Sequence, residues 1–195
     1  MARVGLCKPY FGIYAAEGNA VSYTYKGRLA YAVDVDVSLD NADPVILYAD
    51  NGPRESASGF SGGTMTMGID ELPIDIASNI LGLDIVNVAA SGSEHAYSYM
   101  AYEDAVAPYV GVGFIVNIIH GGTKKYLAVI LTKAQFQVPQ TAVTTQGETI
   151  EFQTPSLTAT LLRDDQVKPT WRIDAVFDSE AQAESWIKTK LGYTE

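Results

Sequence analysis

"FSGGTMTMGIDELPIDIASNILGLD", residues 60–84, changes its period halfway along. In its first half Met65, Met67 and Ile69 share one face, and Thr64, Thr66 and Gly68 share the other. A period of two is the signature of a half-buried strand. Gly62 and Gly63 mark a bulge or a close approach of another backbone. In the second half Ile76, Ile80 and Leu83 recur at helical spacing, with Ala77 and Leu81 beside them. The pattern predicts a helix capped by Asp70 or Glu71, with Pro73 in its first turn and Gly82 at its end. Such a helix covers an open end or face of a sheet.

The flanking sequence extends the β pattern. In "RLAYAVDVDVSLD" (28–40), Val33, Val35, Val37 and Leu39 alternate with Asp34, Asp36, Ser38 and Asp40. This predicts a strand with an apolar inner face and an acidic outer face. Between that strand and 60–69 lies "NADPVILYADNGPRESASG" (41–59), with turn formers at both ends of a short apolar piece. A connection this long carries function more often than not. Its Val45, Ile46 and Leu47 are poorly suited to a loop in free water, and they predict packing against another subunit.

Downstream, residues 84–108 mix strand and loop character. "YVGVGFIVNIIHGGTKKYLAVILTKAQFQVP" (109–139) is a hairpin turning at the glycines after His120. "GETIEFQTPSLTATLLRDD" (147–165) predicts two short strands interrupted at Pro155, and "TWRIDAVF" (170–177) a last one. "DSEAQAESWIKTKLG" (178–192) is a helix capped by Asp178 or Ser179, with a stripe of Ala183, Trp186, Ile187 and Leu191, stopped by Gly192. No repeat and no linker interrupts 1–195. The expectation is one mostly-β domain with two helices, one of them C-terminal over 178–191.

Composition narrows the function. The chain has 195 residues, 47% of them apolar and 18% charged. Globular domains average about 25% charged residues, so a chain this poor in charge is expected to bury flanks against other subunits. Net charge is −10, from 13 basic and 23 acidic residues. That opposes a grip on nucleic acid, which depends on Lys and Arg displacing counterions from phosphate. Lys124-Lys125, the only adjacent basic pair, falls in a turn. Cys7 is the single cysteine, so no intramolecular disulfide forms; a small buried side chain is the expectation for it. The first residues lack the apolar core of a secretion signal, and the run at 109–119 is too short for a bilayer span and contains Asn117. A soluble protein made in a cytoplasm, without membrane insertion, is expected.

Reactive constellations are sparse. His95 and His120 stand in loops, without Cys or His at ligand spacing. Asp34-x-Asp36 fails as a calcium loop, because Leu39 stands where glycine is required and Val45 where glutamate is required. There is no Gly-x-Ser-x-Gly elbow. "FSGGT" lacks the lysine of a phosphate loop and lies within a strand. Tyr97, Tyr99 and Tyr102 form a near cluster that suits a core or a subunit interface, with sugar stacking as the alternative. Neither a catalytic residue, a metal site nor a cofactor is expected.

The order of these elements resembles the major tail protein, or tail tube protein, of long-tailed bacteriophages of Gram-positive hosts and their prophages. The similarity is carried by "GLCKPYFGIYA" (5–15), "VDVSLDNADPVILYADNGPRESASGFSGGTMTMGIDEL" (35–72) and "TTQGETIEFQTPSLTATLLRD" (144–164). It implies a β-sandwich or half-barrel with a flanking helix. It further implies hexameric rings that self-assemble into a hollow tube, the virion conduit for genome ejection. The implied partners are copies of the chain, a tape-measure protein, and terminator and baseplate proteins, with DNA passing unbound. Assembly would take place in the host cytoplasm. On this resemblance Asp34, Asp36, Asp40, Thr64 and Thr66 are the candidates for the channel face. Val45, Ile46, Leu47, Tyr48, Arg54 and Glu55 fall in the loop that meets the next ring, and Ile76, Ile80 and Leu83 in the flanking helix. The alternative is a β-sandwich module of a virion that binds carbohydrate or a receptor.

Overall fold

The computed structural model describes residues 2–41, 45–49, 52–57, 59–89, 96–102, 106–139 and 154–193. In chain order they form β1 (Ala2–Glu17), β2 (Ala20–Arg28), β3 (Ala32–Asn41), β4 (Val45–Ala49), β5 (Gly52–Ala57), β6 (Phe60–Ile69) and α1 (Ile74–Leu81). There follow β7 (Asp84–Val88), β8 (Tyr97–Ala101), β9 (Tyr109–His120), β10 (Thr123–Phe136), β11 (Ser156–Leu162), β12 (Arg172–Phe177) and α2 (Glu180–Lys190). The fold is mostly β, with a large antiparallel sheet and two helices.

The sheet runs β2-β1-β9-β10-β11-β6-β3, and β12 adds to β10. Its two end strands, β2 and β3, are consecutive in sequence and joined by Leu29, Ala30 and Tyr31 alone. A flat path of seven strands would separate its ends by roughly 29 Å. Three linking residues reach about 13 Å. The path therefore curls until β3 returns beside β1. Hydrogen bonds hold the strap at both ends: Leu29 N donates to Pro9 O at 2.9 Å, Tyr31 N to Asp70 Oδ1 at 2.9 Å, and Asp70 N to Tyr31 O at 3.0 Å.

Asp70 thus holds the strap and does not cap α1. The helix opens on Pro73, with no side-chain cap, because Asp70 stands three residues too early and has another partner. Gly82 closes it as expected, at φ 67°, donating to Ser78 O. Ala77, Ile80 and Leu81 of α1 are buried in the concave core with Phe11, Leu29, Met65, Met67, Val112 and Phe114, and Ile76 packs against it half-buried. Leu83, expected in the helix, is buried there too but lies beyond its end, because Gly82 has already turned the chain.

β10 is shared by two wings. Tyr126–Leu131 pairs with β12, and Lys133–Phe136 pairs with β11. Buried Thr132 marks the fork: its N–H donates to Trp171 O and its hydroxyl to Thr170 O. Gly121 and Gly122, at φ 57° and 78°, make the two-residue turn between β9 and β10 that the sequence predicts.

α2 lies on the opposite face of the sheet, where Ala183, Ile187 and Leu191 are buried against Tyr10, Ile115, Ala128 and Ile130. The expected stripe is present, and Ser179 accepts from Gln182 N as the cap. Gly113 lets the helix lie on the sheet, because a Cβ there would stand 2.6 Å from Ile187 Cγ2. Lys8, at positive φ in an irregularity of β1, reaches Glu180 at 2.8 Å and also bonds Glu184. Glu184 accepts from Tyr10 at 2.6 Å and pairs with Lys188 at 2.7 Å. Burial alone would raise the Glu184 carboxyl, but hydrogen bonds from Lys188, Lys8 and Tyr10 outweigh it and hold the pKa down at about 2.

Several elements depart from the sequence expectations. β1 and β2 carry no strand prediction, because β1 buries four consecutive residues, Pro9 to Gly12, and shifts register twice. Residues 41–59 contain the two-stranded ribbon β4–β5 where a loop is predicted. Of the alternating apolar residues of 28–40, Val35 and Val37 pack on the core, whereas Val33, at a register shift, is 56% exposed. Of the two strands predicted in 147–165, β11 is seen; the other falls on residues 147–153, which lie outside the described residues.

Two stability outcomes follow. Gly113→Ala should lower unfolding stability by roughly 1–3 kcal/mol through overpacking, measured by urea titration. Glu184 has a folded-state pKa below its ordinary 4.5. Its contribution is therefore fully present above pH 4.5 and is lost as pH falls toward 2. Glu184→Gln should be less stable than wild type by roughly 1–2 kcal/mol at pH 7, discounted for partial exposure. In melts at successive pH values the gap should close as pH falls toward 2.

Candidate functional site

Antiparallel pairing of β3 with β6, and of β6 with β11, turns three alternating sequences into rows across one face. Asp34 aligns with Gly68 and Ser156, Asp36 with Thr66 and Thr158, Ser38 with Thr64 and Thr160, and Asp40 with Gly62. The opposite face of the same strands holds Val35, Val37, Met65, Met67, Leu157 and Ala159, all in or against the core. Asp34, Asp36, Asp40, Thr64 and Thr66 are thus brought to one face, pointing away from the core. The rows contain three carboxylates and no Lys or Arg. Ser156, Thr158 and Thr160 are additions that the sequence reading missed, although the alternation of "SLTATLL" carries the signal.

The carboxylates are not equivalent. Asp34 Oδ1 accepts from Gly68 N at 2.9 Å, where the β3–β6 register slips. Asp34 therefore secures the irregularity. Asp36 and Asp40 accept no side-chain hydrogen bond from another described residue and stand exposed. A negative, hydroxyl-lined surface of this kind repels phosphate, and its rows hold no cation for phosphate to pair with.

β3 pairs with β6 alone, and the first half of β1 with β9 alone, among the described residues. A slot of about 380 Å³ separates the two, floored by Leu6, Phe114 and Leu127 and rimmed by Arg3, Asp36 and Arg172. Unpaired edges of this length are templates for adding another strand.

Between β3 and β6 the chain makes its excursion. β4 and β5 pair from Val45↔Ala57 to Ala49↔Gly52. Leu47 lies opposite Glu55 and Tyr48 opposite Pro53, which leaves Arg54 as the extra residue of a bulge. The six residues expected at a neighbouring ring, Val45, Ile46, Leu47, Tyr48, Arg54 and Glu55, therefore share one backbone ribbon.

The tyrosine cluster is outside the core. β7 pairs with β8 so that Val88 opposes Tyr97 and Val86 opposes Tyr99. Tyr97 is 55% exposed and Tyr99 45%, their ring centres 6.2 Å apart, and Tyr102 is exposed too. Met100, on the other face of the ribbon, packs on the core.

Reactive side chains are engaged with one another. The Tyr14 hydroxyl donates to Asp165 Oδ2 at 2.8 Å and accepts from Asp165 N, and Lys133 pairs with Asp165 at 2.7 Å. Burial pushes the Tyr14 phenol up to about 12, which leaves it neutral near pH 7. Burial, followed by the charge of Glu180, also raises the Cys7 thiol. His120 is exposed at its turn, and His95 lies outside the described residues. Among the described residues no three His, Cys, Asp or Glu side chains gather as a metal-binding group, and no helix is long and apolar enough to cross a membrane.

The chain matches no known protein family and no curated protein sequence.

The different roles of the two aspartates can be separated by mutation. Asp34→Ala should cost about 1 kcal/mol, the typical net value of one hydrogen bond. Asp36→Ala should stay within about 0.5 kcal/mol of wild type. Chemical denaturation of both variants reads the difference.

Proposed function

We propose that the chain is a structural subunit that self-associates into stacked hexameric rings, forming the tail tube of a long-tailed phage or related particle. The observation that carries this reading is the face built from β3, β6 and β11. It is acidic, lined with hydroxyls, without Lys or Arg in its rows, and carried up to an edge strand whose other side is unpaired among the described residues. Six copies joined edge to edge would set such faces around a channel. DNA in that channel meets carboxylates on all sides and slides without specific binding.

The β4–β5 ribbon supports the stacking of rings. It leaves and re-enters the chain at the end of the acidic strands, where a contact to the next ring is needed. The low charge content supports extensive burial between subunits. Tape-measure, terminator and baseplate proteins would complete the particle, assembled in the host cytoplasm and retained in the virion. The protein acts here as a conduit and performs no catalysis.

The exposed pair Tyr97 and Tyr99 favours one other reading, a virion module that binds carbohydrate or a receptor, since sugar rings stack on exposed tyrosines. Light scattering with negative-stain microscopy of the purified protein separates the two. Rings or tubes are the expected result; a monomer at every concentration, binding glycans, would overturn the tube. Within an assembling particle, Asp36→Lys with Asp40→Lys should leave tubes intact and reduce genome ejection. Ejection at the wild-type rate would remove the acidic face from the channel.

A further inference from the structure

The β7–β8 ribbon presents a face that no other described element covers. Val86, Val88, Tyr97 and Tyr99 lie together on it in two cross-strand pairs, turned away from the side on which Met100 meets the core. The one Asp, Glu, Lys or Arg among its described residues is Asp84, at the end, opposite Ala101. Neither the Tyr97 nor the Tyr99 hydroxyl bonds to another described residue.

We infer that this face is a contact surface for a second copy of the chain, an inference that rests on the self-association proposed above. Charge selects the partner. Two copies at −10 each repel wherever their acidic surfaces meet. The surfaces best able to join like-charged copies are those without charge, and interface cores are depleted of charged residues and enriched in tyrosine. Here two tyrosines and two valines lie in a chain that otherwise carries 23 acidic residues. The tyrosines offer large area with few rotatable bonds, and their hydroxyls remain able to bond across the contact. A sugar site would need amide or carboxylate partners around the ring, and the described part of this face offers Asp84 alone.

Because all four side chains point outward, Tyr97→Ser with Tyr99→Ser should leave the circular dichroism spectrum and the melting temperature of the unassembled chain unchanged. The protein concentration at which light scattering detects assembly should rise at least about tenfold. Tyr97→Phe with Tyr99→Phe, which keeps the apolar area, should assemble close to the wild-type concentration. A wild-type chain that assembles, and a serine variant that does so at the same concentration, would overturn the inference and leave the tube standing. A wild-type chain that never assembles would overturn the tube itself. Glycan binding by a monodisperse chain, abolished in the serine variant, would make this a sugar platform and end the inference.

Discussion

Three residues decide the shape of this molecule. Leu29, Ala30 and Tyr31 tie the two outermost strands of a seven-strand path, and no flat sheet satisfies so short a tie. Curling is the geometric consequence. It gives the sheet a concave side, where methionine, phenylalanine and α1 exclude water, and a convex side, part of which α2 covers. The polar face of β3, β6 and β11 belongs to the part of the convex side that α2 leaves bare. The constraint that forms the core is therefore also the one that presents the carboxylates.

The curl stops short of closure. β3 approaches β1 without a hydrogen-bonded ladder between them among the described residues, and the slot remains. A barrel closed on itself has no reason to seek a neighbour; one left open retains donors and acceptors that an added strand satisfies. Monomeric β-proteins guard such edges with lysine, proline or strong bulges. β3 has a register shift at each end and neither Lys nor Pro between Ala32 and Asn41. Asp36 and Asp40 on its exposed face keep it in water, yet they do not block the ladder, because side chains of a strand stand perpendicular to it.

Much of this was legible in the sequence. The β9–β10 hairpin, the strand-to-helix switch at 60–84 and the stripe of α2 show clean periodicity, because each has one wet face and one dry face. The five polar residues at the centre of the tube proposal were legible for the same reason. β1 was hidden because it is dry on both sides near Pro9–Gly12 and bulges at Lys8, which destroys the period. Asp70 misled because a carboxylate just ahead of a helix is usually a cap, whereas the backbone of Tyr31, thirty-nine residues earlier, claims it. Thr158 and Thr160 joined the polar face only once pairing with Thr64 and Thr66 was known, and pairing between strands so distant in sequence leaves no local signal.

The fork in β10 bears on how such a chain tolerates insertion and deletion. One strand sets the register of both wings, β12 on one side of Thr132 and β11 on the other. A single residue inserted before the fork would turn the side chains beyond it to the opposite face, moving apolar groups of β10 into water and polar ones into the core. The turn at 166–168, beyond Asp165 and its bonds to Tyr14 and Lys133, accepts extra length without disturbing either wing. Divergence in length among chains of this shape should therefore collect at that turn, and β10 should keep a constant residue count.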